Sequence, residues 1–99
     1  MHGEYKTPGG KLVMVDFRQV DGRLRDVTVS GDFFLYPDDA LEAITASLEG
    51  VDVSLDERAL TDRVAGAIAP GIELLGTSPE GIAVAVRRAL ATREPEDGS

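Results

Sequence analysis

Apolar and polar residues alternate in the first third of the chain, and a two-residue period predicts strands. From Lys11 to Gln19, Val13, Val15 and Phe17 alternate with Met14, Asp16 and Arg18. A second run, Arg23 to Ser30, carries Val27 and Val29. Asp21-Gly22 lies between the runs. A two-residue Asp-Gly turn would set Val13 opposite Ser30 and Val15 opposite Thr28, mixing apolar and polar positions on both faces. A three-residue loop, Val20 to Gly22, sets Val15 opposite Val27 and Val13 opposite Val29, with Gly22 in the left-handed position of a G1 bulge. Register follows the apolar face, so the three-residue loop is expected. Glu4 to Lys6 is expected to supply a short third strand, since an isolated hairpin is marginal in water.

Beyond Gly31 the period becomes helical. A first helix is expected from near Pro37-Asp38-Asp39, with Leu41, Ile44 and Leu48 as its apolar face and Gly50 as a left-handed stop. The acidic pair suits the partial positive charge of a helix N-terminus. Ser54-Leu55-Asp56-Glu57 has the form of a capping box opening a second helix, lined by Leu60, Val64, Ala67 and Ile68 and stopped by Pro70-Gly71. Thr77-Ser78-Pro79-Glu80 opens a third, with Ile82, Val86, Ala89 and Leu90 at helical spacing. Strands followed by helices predict an α+β fold: a small antiparallel three-stranded sheet with three helices packed on one face. The expected organisation is one domain over residues 1–92, β-rich over 4–30 and helical over 37–92, with a flexible acidic tail over 93–99.

Composition narrows the chemistry. The 99 residues include no cysteine, which excludes disulfides, thiolate metal sites, iron–sulfur ligation and cysteine nucleophiles. No apolar stretch approaches the ~20 residues of a membrane span, and no basic-then-apolar leader opens the chain. A soluble cytoplasmic protein with no membrane partner is expected. The net charge of −8 repels phosphate backbones, so nucleic acid is not an expected partner, and the acidity favours a basic one.

The stretch KTPGGKLV, Lys6 to Val13, invites a phosphate-loop interpretation. Aligned on Gly10-Lys11, a Walker A motif would need Gly where Tyr5 stands and Ser or Thr where Leu12 stands. A strand follows instead of a helix, and the motif fails. Pro8-Gly9-Gly10 is expected to be a turn, which leaves the role of Lys6 and Lys11 open. His2 is the sole histidine, with no second imidazole or thiol to complete a metal site. The serines and threonines have no evident activating base, so no catalytic residue is assigned. Gly31-Asp32-Phe33-Phe34-Leu35-Tyr36 concentrates aromatics, either to seal the joint between hairpin and first helix or to project outward as interface anchors.

Together, YKTPGGKLVMVDFRQVDGRLRDVTVSGDFF and DDALEAITASLEG resemble the accessory domain of lipoate–protein ligases. A Gly-Gly leads into a strand, a turn ending in Gly follows, then a second strand, an Asp-bearing loop, and a helix ending in Leu-x-Gly. The resemblance is strongest from Tyr5 to Gly50 and favours the form that occurs as a stand-alone small subunit. It implies an α+β fold similar to that of iron–sulfur scaffold proteins, here without their cysteines. It implies a catalytic large subunit as partner, which holds ATP, Mg and lipoate, forms lipoyl-AMP and transfers the acyl group to a lipoyl acceptor domain. The small subunit would bind no cofactor alone, have no activity alone, and support lipoate adenylation. The motif positions carried over are Lys6, Gly9, Gly10, Lys11, Asp32, Phe33 and Phe34, with Tyr36 added from the aromatic run, as partner-binding or phosphate-proximal residues. The rivals are a Cys-free scaffold-like module recruiting a carrier or assembly partner, and a stand-alone small enzyme.

Overall fold

A computed structural model describes residues 1–37, 39–68 and 70–91. The expected acidic tail and Asp38 lie outside the described residues. Strands β1 (His2–Lys6), β2 (Leu12–Val20) and β3 (Arg23–Gly31) form an antiparallel sheet in the order β1-β2-β3. Helices α1 (Ala40–Leu48), α2 (Glu57–Ala67) and α3 (Pro79–Ala91) follow. Helix α3 packs on β1 and β2, α1 packs on β3, and α2 bridges the other two helices. The α+β architecture is the expected one.

Val13, Val15, Phe17, Val27 and Val29 are buried from the sheet, and Ile44, Leu48, Leu60, Val64, Ile82 and Val86 from the helices. Helix α3 is more buried than its expected stripe: Ala83 and Ala85 are inside as well. Small residues there let the edge strand come close. A Cβ added to Gly3 would lie 2.1 Å from Ala85 O, so β1 rests backbone-to-backbone on α3.

The β2–β3 connection differs from expectation. Val20 pairs directly with Arg23, so the loop is the two-residue Asp21-Gly22. Both residues take positive φ, +54° and +76°, as a type I′ turn requires. The faces stay unmixed because the register shifts by one residue farther along. Val15 faces Val29 and Val13 faces Gly31, while Arg18 faces Arg25. The extra residue lies on β3 at Asp26, which adopts φ +56°. A bulge therefore restores the apolar face that the turn alone would have scrambled. The carboxylate of Glu49, just past α1, accepts from the Asp26 and Val27 N–H groups at 3.0 and 3.1 Å. Arg18 Nε donates to Asp26 Oδ2 at 2.6 Å.

The second helix also starts differently. Asp56, not Ser54, is its N-cap, and Asp56 Oδ1 accepts from Ala59 N–H at 2.9 Å. The capping box does not form because Ser54 N–H donates to Asp52 Oδ1, folding that residue into the preceding turn. Ser78 Oγ accepts from Gly81 N–H at the start of α3. Gly50, at φ +79°, follows α1 as expected.

One feature was not expected from the pattern. Strands β4 (Phe34–Tyr36) and β5 (Glu73–Leu75) pair antiparallel as a separate two-stranded ribbon. No helix among the described residues is long and apolar enough to cross a membrane.

Candidate functional site

The Pro-Gly-Gly stretch is a turn. Gly10 N–H donates to Thr7 O at 2.7 Å, closing Thr7-Pro8-Gly9-Gly10. Pro8 occupies the second position and Gly9, at φ +69°, the third, the arrangement that a type II turn demands. The turn is held by the other end of the sequence. Lys11 N–H donates to Gly76 O at 2.7 Å, and the Thr7 and Thr77 hydroxyls are 2.9 Å apart. A Cβ on Gly10 would lie 2.5 Å from Gly76 O, so only glycine allows this contact.

Gly76 joins the turn to the aromatic run. A Cβ there would meet Lys11 Cγ at 2.8 Å and Phe33 Cα at 3.3 Å. Gly9, Gly10, Lys11, Asp32, Phe33 and Phe34 therefore lie together beside the ribbon. Asp32 N–H donates to Leu12 O at 3.0 Å, fixing the exit from β3. Lys6 stands opposite Leu12 at the end of β1 and is exposed. Lys6 and Lys11 are the only lysines in the chain. Neither forms an ion pair among the described residues.

The ribbon divides the aromatic run into two faces. Leu35 is buried and Phe33 packs half-buried against the core. Phe34 and Tyr36 point the other way and remain 52% and 59% exposed. Phe34 is paired with Leu75, itself 58% exposed, and Tyr36 with Glu73. Each of these three residues keeps more than half of its surface in water, so folding leaves much of this face uncovered. Leu75 and Gly76 had no signal in the sequence strong enough to single them out. Their strand is three residues long and meets its partner only through the fold.

His2 is not idle. Its Nδ1 lies 2.7 Å from Asp16 Oδ1 and its Nε2 lies 2.7 Å from Glu4 Oε2. Only an imidazolium donates from both nitrogens. The Glu4 hydrogen bond, then that of Asp16, raises the pKa of His2 above its ordinary value. The two carboxylates face opposite ring nitrogens, a tie between β1 and β2 on the solvent side of the sheet. Among the described residues no group of three His, Cys, Asp or Glu is placed to hold a metal ion.

No family model matches the sequence, and no curated protein matches it. The fold does match a solved chain, from the structural analysis of an archaeal lipoylation system, a bi-partite lipoate protein ligase and its E2 lipoyl domain from Thermoplasma acidophilum. The TM-score is 0.72 at 24% identity, over 88% of this chain and 93% of the other.

Proposed function

We propose that this chain is the non-catalytic accessory subunit of a two-part lipoate–protein ligase. It would bind the catalytic subunit and support ATP-dependent adenylation of lipoate, and so protein lipoylation. The observation that carries the proposal is the match over 93% of a whole chain from a bi-partite lipoate protein ligase system. Two further features support it. The ordered landmarks from Tyr5 to Gly50 resemble the ligase accessory domain, and the outward face of Phe34, Tyr36 and Leu75 offers aromatic anchors that the fold itself does not use.

Docking at that face would bring the Thr7–Lys11 turn to the subunit boundary. There a rigid small domain can close over the adenylation site held by the large subunit. Closure keeps water from lipoyl-AMP, a reactive mixed anhydride, which is an established use of moving domains. Lys6 and Lys11 serve docking in this scheme, pairing with carboxylates of the large subunit rather than with phosphate. The lipoyl acceptor domain is a further partner reached through the same complex.

The test is lipoate-dependent ATP–pyrophosphate exchange by the catalytic subunit encoded in the same genome, with and without this chain. Exchange should rise when the chain is added, and an unchanged rate overturns the proposal. Lys6→Ala and Lys11→Ala refine it. Weaker complex formation supports docking, whereas an intact complex with slow exchange reassigns the lysines to phosphate.

A further inference from the structure

An outer strand exposes unpaired N–H and C=O groups, and folded proteins cover them. Strand β3 is an outer strand, and most of its free edge is covered. Near the turn, Leu24 N–H donates to Val51 O at 2.9 Å and Gly50 N–H donates to Leu24 O at 2.7 Å. At the bulge, the Glu49 carboxylate takes the Asp26 and Val27 N–H groups. At the far end the covering stops. The Asp32-to-Leu12 bond fixes the phase of the ladder, so Met14–Ser30 and Asp16–Thr28 are the bonded pairs. Val29 and Gly31 then direct their N–H and C=O groups away from β2. Among the described residues, nothing accepts from or donates to those four groups.

This open edge borders a cleft of about 420 Å³, with Phe33, Phe34, Leu35 and Leu41 as its apolar wall. Leu41 also begins a second groove along α1, with Glu42, Thr45, Ala46 and Glu49. The charged residues lining the two are both carboxylates, Glu42 and Glu49.

We propose that an extended, lysine- or arginine-bearing segment of the catalytic subunit adds to β3 as a further strand. It pairs with the backbone of Val29 and Gly31 and seats an apolar side chain against Phe33, Leu35 and Leu41. Strand addition of this kind takes its affinity from main-chain bonds and its specificity from alternate side chains. The acidic groove selects a basic segment. A second copy of this chain, at net charge −8, would set like charges against one another. The proposal rests on the accessory-subunit function and names where the partner engages.

Residue-resolved amide hydrogen exchange on the full chain tests it, alone and with the catalytic subunit. Alone, Val29 and Gly31 should exchange faster than Thr28 and Ser30. In the complex, Val29 and Gly31 should slow by at least about tenfold. A complex that forms and stimulates adenylation while these two amides keep their free rates overturns strand addition and leaves the accessory function standing. Absence of any complex overturns both. Slowing on concentrating the chain alone assigns the edge to a second copy and overturns the catalytic-subunit assignment. Glu42→Lys should weaken the complex about tenfold, and unchanged affinity counts against a basic segment.

Discussion

In the three-stranded sheet, the alternating apolar positions Val13, Val15, Phe17, Val27 and Val29 all go into the core. In the ribbon of β4 and β5, Leu35 goes in, but its strand neighbours Phe34 and Tyr36 stay more than half exposed, as does Leu75 opposite. Both regions are apolar and both are strands, yet the ribbon buries only its inner side, Leu35 and Leu74, and leaves its outer side in water. The main sheet buries its apolar face in the core, and the ribbon leaves Phe34, Tyr36 and Leu75 at the surface, the face proposed above for a partner.

Substitutions should break this contrast in a set order. Ile82→Ala, in the fully buried face of α3, should cost about 2–5 kcal/mol and lower the melting temperature by roughly 10 °C or more. Glu49→Ala removes the acceptor for two bulge amides and should cost about 1 kcal/mol, read by urea unfolding. Phe34→Ala and Tyr36→Ala should change stability by less than about 0.5 kcal/mol. A larger loss at Phe34 than at Ile82 would erase the distinction between the two regions.

The smallest effect concerns pH. His2 has its pKa raised above 6.5 by Glu4 and Asp16. The charged tie therefore contributes fully below about pH 6.5 and is lost as pH rises through the raised value. The groups facing the ring are exposed, so the effect is small. His2→Gln should flatten the difference in melting temperature between about pH 5.5 and about pH 8.5. A slope that persists in the variant assigns it to other groups.

The same contrast explains what the sequence made legible. Strands β2 and β3 and helix α3 follow from periodicity because each buries a continuous face. The two-residue turn was hidden because its bulge is stabilised by Glu49, 23 residues beyond Asp26. Leu24 and Val27 stand three apart with Arg25 and Asp26 between them, so the alternation breaks at the bulge, but the break does not say which residue leaves the ladder. Ser54 and Asp56 are both good caps in sequence, and the turn on Asp52 takes Ser54 and leaves the cap of α2 to Asp56. The ribbon was illegible for a different reason. Phe34-Leu35-Tyr36 is apolar at consecutive positions and so shows no period, and its partner strand has three residues. At the candidate site, the Pro-Gly-Gly turn was readable from residue types alone. Its anchorage on Gly76 and Thr77 was not, because that contact spans most of the chain.

The central claim is that the outward face of the ribbon serves a partner and not the fold. The most direct measurement is the lipoate-dependent ATP–pyrophosphate exchange of the catalytic subunit with the double variant Phe34→Ala, Tyr36→Ala. The account predicts a variant that melts where the wild-type chain does but no longer raises the exchange rate. Full stimulation by a variant that lacks both aromatic rings would contradict it.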